Sequence, residues 1–189
     1  SPLETREPAC QEFPACGGCM YQTMSYEAQK EMKERQVREL LDGAVRESLA
    51  KVGKNGDVTE EAEAADRLYH WDGIYGSPIE FGYRNKMEFS FGDEVKDGPL
   101  TLGLHKRGSF YDIISVPNCQ IIDEDLRKVL KTTQDFFRNA KLGGKSIDFY
   151  HKMRHEGVLR HLLVRKGLKT GEMLICLVTS SQGGIDSAE

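Results

Sequence analysis

The sequence has no apolar run long enough to span a bilayer, and no secretory signal peptide is recognisable at its start. Its 189 residues include one tryptophan, six prolines and five cysteines. A disulfide framework is typical of small secreted chains, and such a chain normally carries a signal peptide. We therefore expect a cytoplasmic protein of one main domain, in which 39% apolar residues build the core and the few cysteines serve another purpose.

The sequence also lacks the glycine-rich turn by which doubly wound domains bind nucleotide cofactors. That turn joins a strand to a helix and is followed by an acidic residue about twenty positions later. Gly183-Gly184 has no helical pattern after it, and Gly143-Gly144 precedes a strand pattern. We therefore assign no cofactor-binding residue in this chain.

A strong excess of one charge is missing as well. The formal net charge is −4, which excludes a uniformly basic protein that coats nucleic acid. The charges are nevertheless uneven, because residues 57–66 carry five acids and no base whereas residues 152–169 carry six bases and one acid. This distribution predicts a local basic face, and its plain alternative is an ordinary solvated surface.

What the sequence does have is a cluster of thiols. Cys10, Cys16 and Cys19 lie within ten residues, here called the cysteine loop (residues 10–19), and Cys119 follows a proline-asparagine turn. Free cysteines usually occur singly in apolar cores, so this spacing indicates a metal site with Cys119 as the fourth ligand. Cys176 lies in an apolar strand pattern and is predicted to be an inert core residue.

The spacing leaves the identity of the metal open. Structural zinc usually joins two short Cys-x-x-Cys knuckles, and this chain has one knuckle, one outlying cysteine and one distant partner. That asymmetry favours an iron–sulfur cluster, with zinc and disulfides as the alternatives. Gly17 and Gly18 allow the tight turn that wrapping one centre requires.

Four segments of the chain, taken together, resemble a known family. The pattern Cys-x5-Cys-Gly-Gly-Cys-x2-Gln22, followed by Tyr26-x2-Gln29 and a basic helix, is similar to the opening of the central domain of the bacterial iron–sulfur RNA 5-methyluridine methyltransferases, in particular the 23S ribosomal RNA uracil-5 group. Residues 82–89, 102–106 and 159–165 resemble the same family in the same order. The resemblance implies a [4Fe-4S] cluster whose ligands are Cys10, Cys16, Cys19 and Cys119.

The resemblance also implies a function. The family transfers a methyl group from S-adenosylmethionine to C5 of a uracil, and its catalytic and cofactor residues belong to the domain that follows. We therefore expect that this chain contains no catalytic residue and is inactive as a fragment. We expect its cluster to serve as a scaffold and its partner to be RNA, with ribosomal RNA as the first candidate. We also expect a monomer that binds no membrane. The alternatives are a zinc-stabilised nucleic-acid-binding module without enzymatic activity and an iron–sulfur electron carrier.

Element patterns predict an α+β fold with a mostly antiparallel sheet, flanking helices and an N-terminal cysteine-rich metal-binding loop. We expect the iron–sulfur loop at residues 1–22, the central domain at 23–180 and a linker at 181–189. A core-facing helix follows Ser25 and is expected to break near Gly43, and Asp123 caps a second helix whose buried stripe includes Phe136. Strands are predicted at 83–91, 100–104, 111–116, 147–151, 158–165 and 172–179, and an acidic surface excursion at 53–67.

The candidate RNA-binding residues lie on the predicted strands. Arg84 and Lys86 share one strand face with Glu88 and stand roughly 6.5–7 Å apart, close to the spacing of consecutive phosphates. A hairpin from this strand into residues 100–104 is expected to bring Lys106 beside them. A second group of candidates lies on the 158–165 strand: Arg160, His161 and Arg165.

Overall fold

The computed structural model describes residues 6–52 and 69–182, which form parts of two compact units. The first unit comprises Ser1–Arg6 and Thr23–Pro78, and the second comprises Glu7–Gln22 and Ile79–Glu189. The predicted acidic excursion at 53–67 and residues 183–189 of the predicted linker lie outside the described residues.

The first unit contains one long helix, α1 (Tyr26–Val52). The Ser25 hydroxyl accepts the backbone N–H of Ala28 at 3.2 Å, which confirms the predicted cap. The helix runs through Gly43 without the expected break, and Leu40 is 74% exposed, so the prediction of a core-facing stripe is wrong at this position. No helix among the described residues has the length and apolar character needed to cross a membrane.

The second unit is built on an antiparallel sheet. Its strands are β1 (Lys86–Gly92), β2 (Thr101–His105), β3 (Ile113–Ser115), β6 (Leu159–Lys166) and β7 (Met173–Thr179), in the spatial order β3-β2-β1-β6-β7. A small hairpin of β4 (Lys141–Leu142) and β5 (Lys145–Ser146) follows the helix α2 (Glu124–Asn139). Every pairing in the five-stranded sheet is antiparallel, which confirms the predicted α+β class.

The strand predicted at 147–151 does not form. Phe149 makes a single bridge to Leu159, and His151 makes one to Glu156, because the chain turns back on itself at residues 152–155. The prediction read the apolar pattern correctly, since Phe149 is buried, but a buried alternation does not by itself supply a neighbouring strand.

The core lies between the sheet and α2. On β1 the buried Met87, Phe89 and Phe91 alternate with side chains on the other face, as predicted. Leu126 and Leu130 of α2 pack on this face, and burying each such side chain contributes about 1.5–3 kcal/mol. The core also includes further fully buried residues: Leu102, Ile122, Leu159, Leu162 and Val164.

Phe136 does not belong to the buried stripe of α2. It is 61% exposed, while its neighbour Phe137 meets Phe91 edge-on with ring centroids 5.6 Å apart. The prediction for Phe136 is therefore wrong. Consecutive helical residues point about 100° apart, so a stripe that contains Phe137 turns Phe136 away from the sheet.

At the start of α2, Asp123 both caps the helix and forms an ion pair with Lys166. The Asp123 carboxylate accepts a hydrogen bond from the backbone N–H of Asp125 at 2.8 Å, which confirms the predicted cap. It also accepts a hydrogen bond from Lys166 Nζ at 2.9 Å. Lys166 Nζ also lies 2.6 Å from an Asp125 oxygen. The hydrogen bond from Lys166 lowers the pKa of both carboxyl groups. The end of β6 is thereby tied to the first turn of α2.

We expect Asp123→Asn to destabilise the protein near neutral pH but not in acid. Asn still caps the helix, so only the ion pair is lost, whereas Asp123→Ala also loses the cap at a cost of about 1 kcal/mol. Because the folded-state pKa of Asp123 is depressed, its charge stabilises the fold above the unfolded pKa of about 3.9 and stops doing so as pH falls through the folded pKa. Thermal unfolding at a series of pH values should show the wild-type and Asn curves converging below about pH 4, and a constant gap would contradict the ion-pair account.

Candidate metal centre and nucleic-acid surface

The cysteine loop is docked on the end of β2. Cys16 forms an antiparallel bridge with Lys106, and Gly17 N–H donates to the carbonyl of His105 at 2.9 Å. Pairing between β1 and β2 stops at Ser90 and Gly103. Residues 105–107 therefore pair with the cysteine loop and not with the start of β1.

The two glycines of the loop are required by this close approach. A Cβ at Gly17 would lie 3.0 Å from the carbonyl oxygen of His105, and one at Gly18 would lie 3.0 Å from Leu104 and 3.4 Å from the Cys16 sulfur. Gly18 N–H also donates to that sulfur at 3.3 Å. The expectation that glycine relieves Cβ clashes in the loop is confirmed.

Polar side chains from outside the loop hold its backbone. The buried Gln22 accepts the N–H of Cys10 at 3.0 Å through Oε1. The Arg107 guanidinium donates to the carbonyl of Pro14 at 3.0 Å and to the carbonyl of Cys19. These contacts fix two of the three loop cysteines through their main chain.

The fourth cysteine is brought to the loop by the turn after β3. Cys119 N–H donates to the carbonyl of Val116 at 3.1 Å, and Arg127 donates to the carbonyl of Cys119 at 3.1 Å. All four predicted ligands then line one small cavity, together with apolar side chains. The apolar lining consists of Phe13, Leu104, Val116 and Ile121.

The environment of the thiols disfavours their charged forms. Burial raises the pKa of Cys16 and of Cys119, and repulsion from the neighbouring cysteines raises both further. This repulsion arises because the four cysteines lie around one cavity. Thiols with raised pKa values keep their protons, and binding of a metal would have to displace those protons.

The four thiols do not converge on one point. Within residues 6–52 and 69–182, no three His, Cys, Asp or Glu side chains are placed to hold a single metal ion. Tetrahedral zinc requires each sulfur about 2.3 Å from the ion, which brings the sulfurs together more tightly than a multinuclear centre does. The cavity they share has a volume of about 10 Å³.

Cys176 lies apart from this group. It is on β7, the edge strand of the sheet, and its side chain is exposed, so the prediction of a core residue is wrong. The strand has the apolar composition of a buried element, but in the described structure Leu174 and Ile175 are more than half exposed as well. Cys176 does not line the cysteine cavity.

Lys86 is the first residue of β1 and Arg84 lies two residues before it, and both are exposed. Lys86 lies directly opposite Arg165 of β6. Arg84 forms a parallel bridge with Ile122, and its N–H donates to the carbonyl of Ile121 at 2.9 Å. The structure therefore places Lys86 beside Arg165 and ties Arg84 to the segment that follows Cys119.

Lys106 directly follows β2, the second strand of the predicted hairpin. It is exposed, but its neighbour across the ladder is Cys16 of the cysteine loop. The predicted hairpin is confirmed, since β1 pairs antiparallel with β2, and residues 105–107 form backbone hydrogen bonds with the cysteine loop. A role for Lys106 in RNA binding stays a prediction.

Arg160 and His161 belong to a different part of the sheet from Arg165. Arg160 is exposed and lies over the ring of Tyr150 at 4.7 Å. His161 is half-buried, with Nδ1 3.3 Å from the Ser90 hydroxyl, and burial lowers its pKa. The six candidate residues thus form three separate groups rather than one patch.

The comparisons with known proteins identify the relatives of this chain. No protein-family model matches it. An uncharacterized RNA methyltransferase of Clostridium acetobutylicum is 42% identical over 183 residues, which cover 97% of this chain and 35% of that protein. An uncharacterized RNA methyltransferase of Caldanaerobacter subterraneus is 40% identical, covering 96% of this chain and 34% of its own length. This chain is a homologue of part of these RNA methyltransferases. It spans about a third of the length of the curated relatives it matches.

A solved structure shares the fold of this RNA methyltransferase homologue. The tRNA (uracil-54, C5)-methyltransferase of Pyrococcus abyssi, in complex with S-adenosyl-L-homocysteine, superimposes with a TM-score of 0.57. The identity is 22%, and the alignment covers 95% of this chain and 33% of that one. At this identity the likeness establishes the fold, and the predicted resemblance to RNA methyltransferases is confirmed by the curated relatives.

Spacing and periodicity did not point to two features of this RNA methyltransferase homologue. One is the support of the cysteine loop by Arg107, which lies far from the loop in sequence. The other is a large cavity on the open face of the sheet, to which Phe110 and Tyr111 contribute. A pair of adjacent aromatic residues in a polar turn, Ser109-Phe110-Tyr111-Asp112, was the available signal for the second.

Proposed function

We propose that this chain is the cluster-binding and RNA-recognition segment of an S-adenosylmethionine-dependent RNA uracil-C5 methyltransferase that acts on ribosomal RNA. The observation that carries the proposal is that the three cysteines of the cysteine loop and the distant Cys119 line one cavity, in a chain whose curated relatives are RNA methyltransferases. Residues 1–22 would be the cluster loop, 23–180 the central domain and 181–189 a linker. Catalysis and binding of S-adenosylmethionine would belong to the remaining length of the relatives.

The cofactor we propose is a [4Fe-4S] cluster on Cys10, Cys16, Cys19 and Cys119. Four soft thiolates suit iron–sulfur clusters or zinc, and a ligand set with one Cys-x-x-Cys knuckle, one outlying cysteine and one distant cysteine favours the cluster. The guanidinium groups of Arg107 and Arg127, which bind main-chain carbonyls of two ligand residues, would offset its negative charge. Because the cavity is only about 10 Å³, we expect the loop to move outward when it is loaded.

The cluster would act as a scaffold for RNA recognition. The segment that carries Cys119 is bonded to the segment that carries Arg84, through Gly82 N–H to the carbonyl of Gln120 at 2.9 Å and Arg84 N–H to that of Ile121 at 2.9 Å. Anchoring Cys119 in a cluster therefore also anchors the backbone of Arg84. Methyl transfer to C5 of a uracil needs no electron flow, so a structural role is sufficient.

The strand face beside Arg84 suits phosphate. Lys86 and Arg165 lie directly opposite each other on adjacent strands, and like charges in that position destabilise a sheet unless an anion lies between them. A base that is methylated at C5 must leave the stack, so the enzyme has to hold the single-stranded nucleotides around it. The proposal gives Arg84, Lys86 and Arg165 that task, and it accounts for the relatives better than a zinc-stabilised binding module without an enzyme.

We expect Arg84→Ala and Lys86→Ala each to weaken binding of a uridine-containing single-stranded RNA. Each substitution should remove one phosphate contact and lower the slope of log affinity against log salt by about 0.7. Arg84→Ala should cost more affinity, because a guanidinium binds two oxygens or stacks on a base where an ammonium makes point contacts. Fluorescence anisotropy across a salt series measures both quantities.

Glu88→Ala is the matched control for these two variants. Glu88 is exposed on the same face of β1, but its carboxylate repels phosphate. Its removal should leave RNA affinity unchanged or slightly higher, with no reduction of the slope. Slopes for all three variants equal to that of the wild type would show that this face is an ordinary solvated surface.

A further inference from the structure

A second, larger cavity lies on the face of the sheet opposite α2. Its volume is about 430 Å³, which is in the range of small-ligand sites. Side chains alternate along β1, so Ser90 points away from the face that buries Phe89 and Phe91 against the core. Ser90 lines the cavity together with His161, its cross-strand partner on β6, and His105, which lies further along β2.

Exposed aromatic rings stand at the wall of this cavity. Phe110 is 83% exposed and Tyr111 is 60% exposed, and both line it. Two adjacent large aromatic side chains in a surface turn expose apolar area that a ligand could cover. The face of such a ring is the surface on which unstacked nucleic-acid bases stack.

Cationic and carboxylate side chains from different parts of the chain line the cavity. Lys152, Arg154 and Arg160 come from residues 152–160, and Arg160 is held in place over the ring of Tyr150. The turn between β1 and β2 supplies Asp93 and Asp97 together with Lys96, and the Asp93 carboxylate accepts the N–H of Asp97 at 2.8 Å. Phosphate suits the first group, and the N–H groups of a base edge suit the carboxylates of the second.

His105, which lines the cavity, has a buried ring nitrogen without a hydrogen-bond partner among the described residues. Nδ1 of His105 is the buried side-chain atom that lacks a hydrogen-bond partner in the described part of the chain. Leaving a buried N–H without an acceptor costs more free energy than leaving a nitrogen lone pair without a donor. The proton of the neutral His105 ring is therefore assigned to Nε2. Burial, with Lys152 and His161 nearby, lowers the pKa of His105 and keeps the ring neutral. His105 therefore adds no positive charge to the cavity, and the phosphate contacts are left to the lysine and arginine side chains.

We propose that this cavity binds one unstacked nucleotide of a single-stranded RNA, with the base stacked on Phe110 or Tyr111 and its phosphate held by Lys152, Arg154 and Arg160. This inference rests on the proposed function and deepens it. It supplies a base-binding subsite, whereas the face that carries Arg84 and Lys86 supplies phosphate contacts. The nucleotide in the cavity would be a neighbour of the methylated uridine, because the catalytic residues are proposed to lie outside this chain.

The test uses the whole chain and a short uridine-containing single-stranded RNA. Phe110→Leu combined with Tyr111→Leu removes both rings while keeping apolar bulk, and its affinity for the RNA should fall about fivefold or more without a change in salt slope. An RNA in which the stacked nucleotide is replaced by an abasic one should bind the wild type with a similar loss. The two fold-losses in affinity should not multiply when the double variant binds the abasic RNA, because both changes remove the same stacking contact.

Leu168→Ala is the control, since Leu168 is exposed and does not line the cavity, and it should bind RNA as the wild type does. Thermal unfolding of each variant verifies that the exposed substitutions leave the fold intact. If the wild type binds RNA with a normal salt dependence and the double variant binds equally well, the subsite is overturned while the proposed function stands. If losses from the variant and the abasic RNA multiply, the base does not stack on these rings. If the wild type binds no RNA, both proposals fail.

Discussion

Cys119→Ser should abolish iron binding by anaerobically purified protein and remove its visible absorption band, whereas Cys176→Ser should leave both unchanged. Cys119 is one of four thiols that line the cysteine cavity, and it reaches that cavity from the turn after β3. Without it, the three thiols of the cysteine loop remain, too few to complete a four-thiolate site. Cys176 has the same chemistry but is exposed on the edge strand, which makes it a matched control.

Iron and zinc counts together with the absorption spectrum decide this prediction. Colourless protein that retains zinc in the wild type and loses it in Cys119→Ser would replace the cluster with zinc at the same ligands. Iron that survived Cys119→Ser but fell with Cys176→Ser would overturn the ligand assignment. Loss of metal should also increase backbone hydrogen exchange in the cysteine loop, since ligand bonds offset much of the entropy of ordering it.

The second large effect is expected from Gly103→Ala in β2. A Cβ at this position would lie 1.9 Å from the carbonyl oxygen of Ile114 and 2.7 Å from its carbonyl carbon, both backbone atoms of the paired strand β3. Backbone cannot swing aside as a flexible side chain can, so β3 must separate from β2. We expect a loss of about 3 kcal/mol or more in the free energy of unfolding, measured by urea denaturation.

Gly43→Ala tests the same chemical change at a site with free space. Gly43 lies inside α1, and a Cβ there would meet no atom within 4 Å. Alanine is a better helix former than glycine, so this variant should be more stable by about 0.5–1 kcal/mol. Equal effects of the two substitutions would contradict the account given for Gly103. Because β3 leads into the turn that carries Cys119, Gly103→Ala should also weaken metal binding, and Gly43→Ala should not.

Local patterns in the sequence were sufficient for several features. The alternation correctly predicted that Met87, Phe89 and Phe91 are buried, although Tyr83 of the same pattern is exposed. Asp123 was correctly identified as a helix cap. Both depend on residues close together in the chain, so the periodicity and the capping chemistry contain the whole cause. The same patterns failed for Phe136 and Cys176, because a pattern shows that a face is apolar but not whether another element covers it.

The sequence by itself determined the α+β class, the kinship with RNA methyltransferases and the set of four cysteines that share a cavity, since each rests on residue identity, spacing or local periodicity. Only the tertiary structure decided that the cysteine loop pairs with the end of β2 and that Lys106 therefore lies beside Cys16. It also decided that four strands and three connecting segments together line the large cavity. The physical reason is that backbone pairing is a competition among segments far apart in the chain. Residues 105–107 pair with the cysteine loop, and which segment pairs with them depends on packing that no single segment encodes.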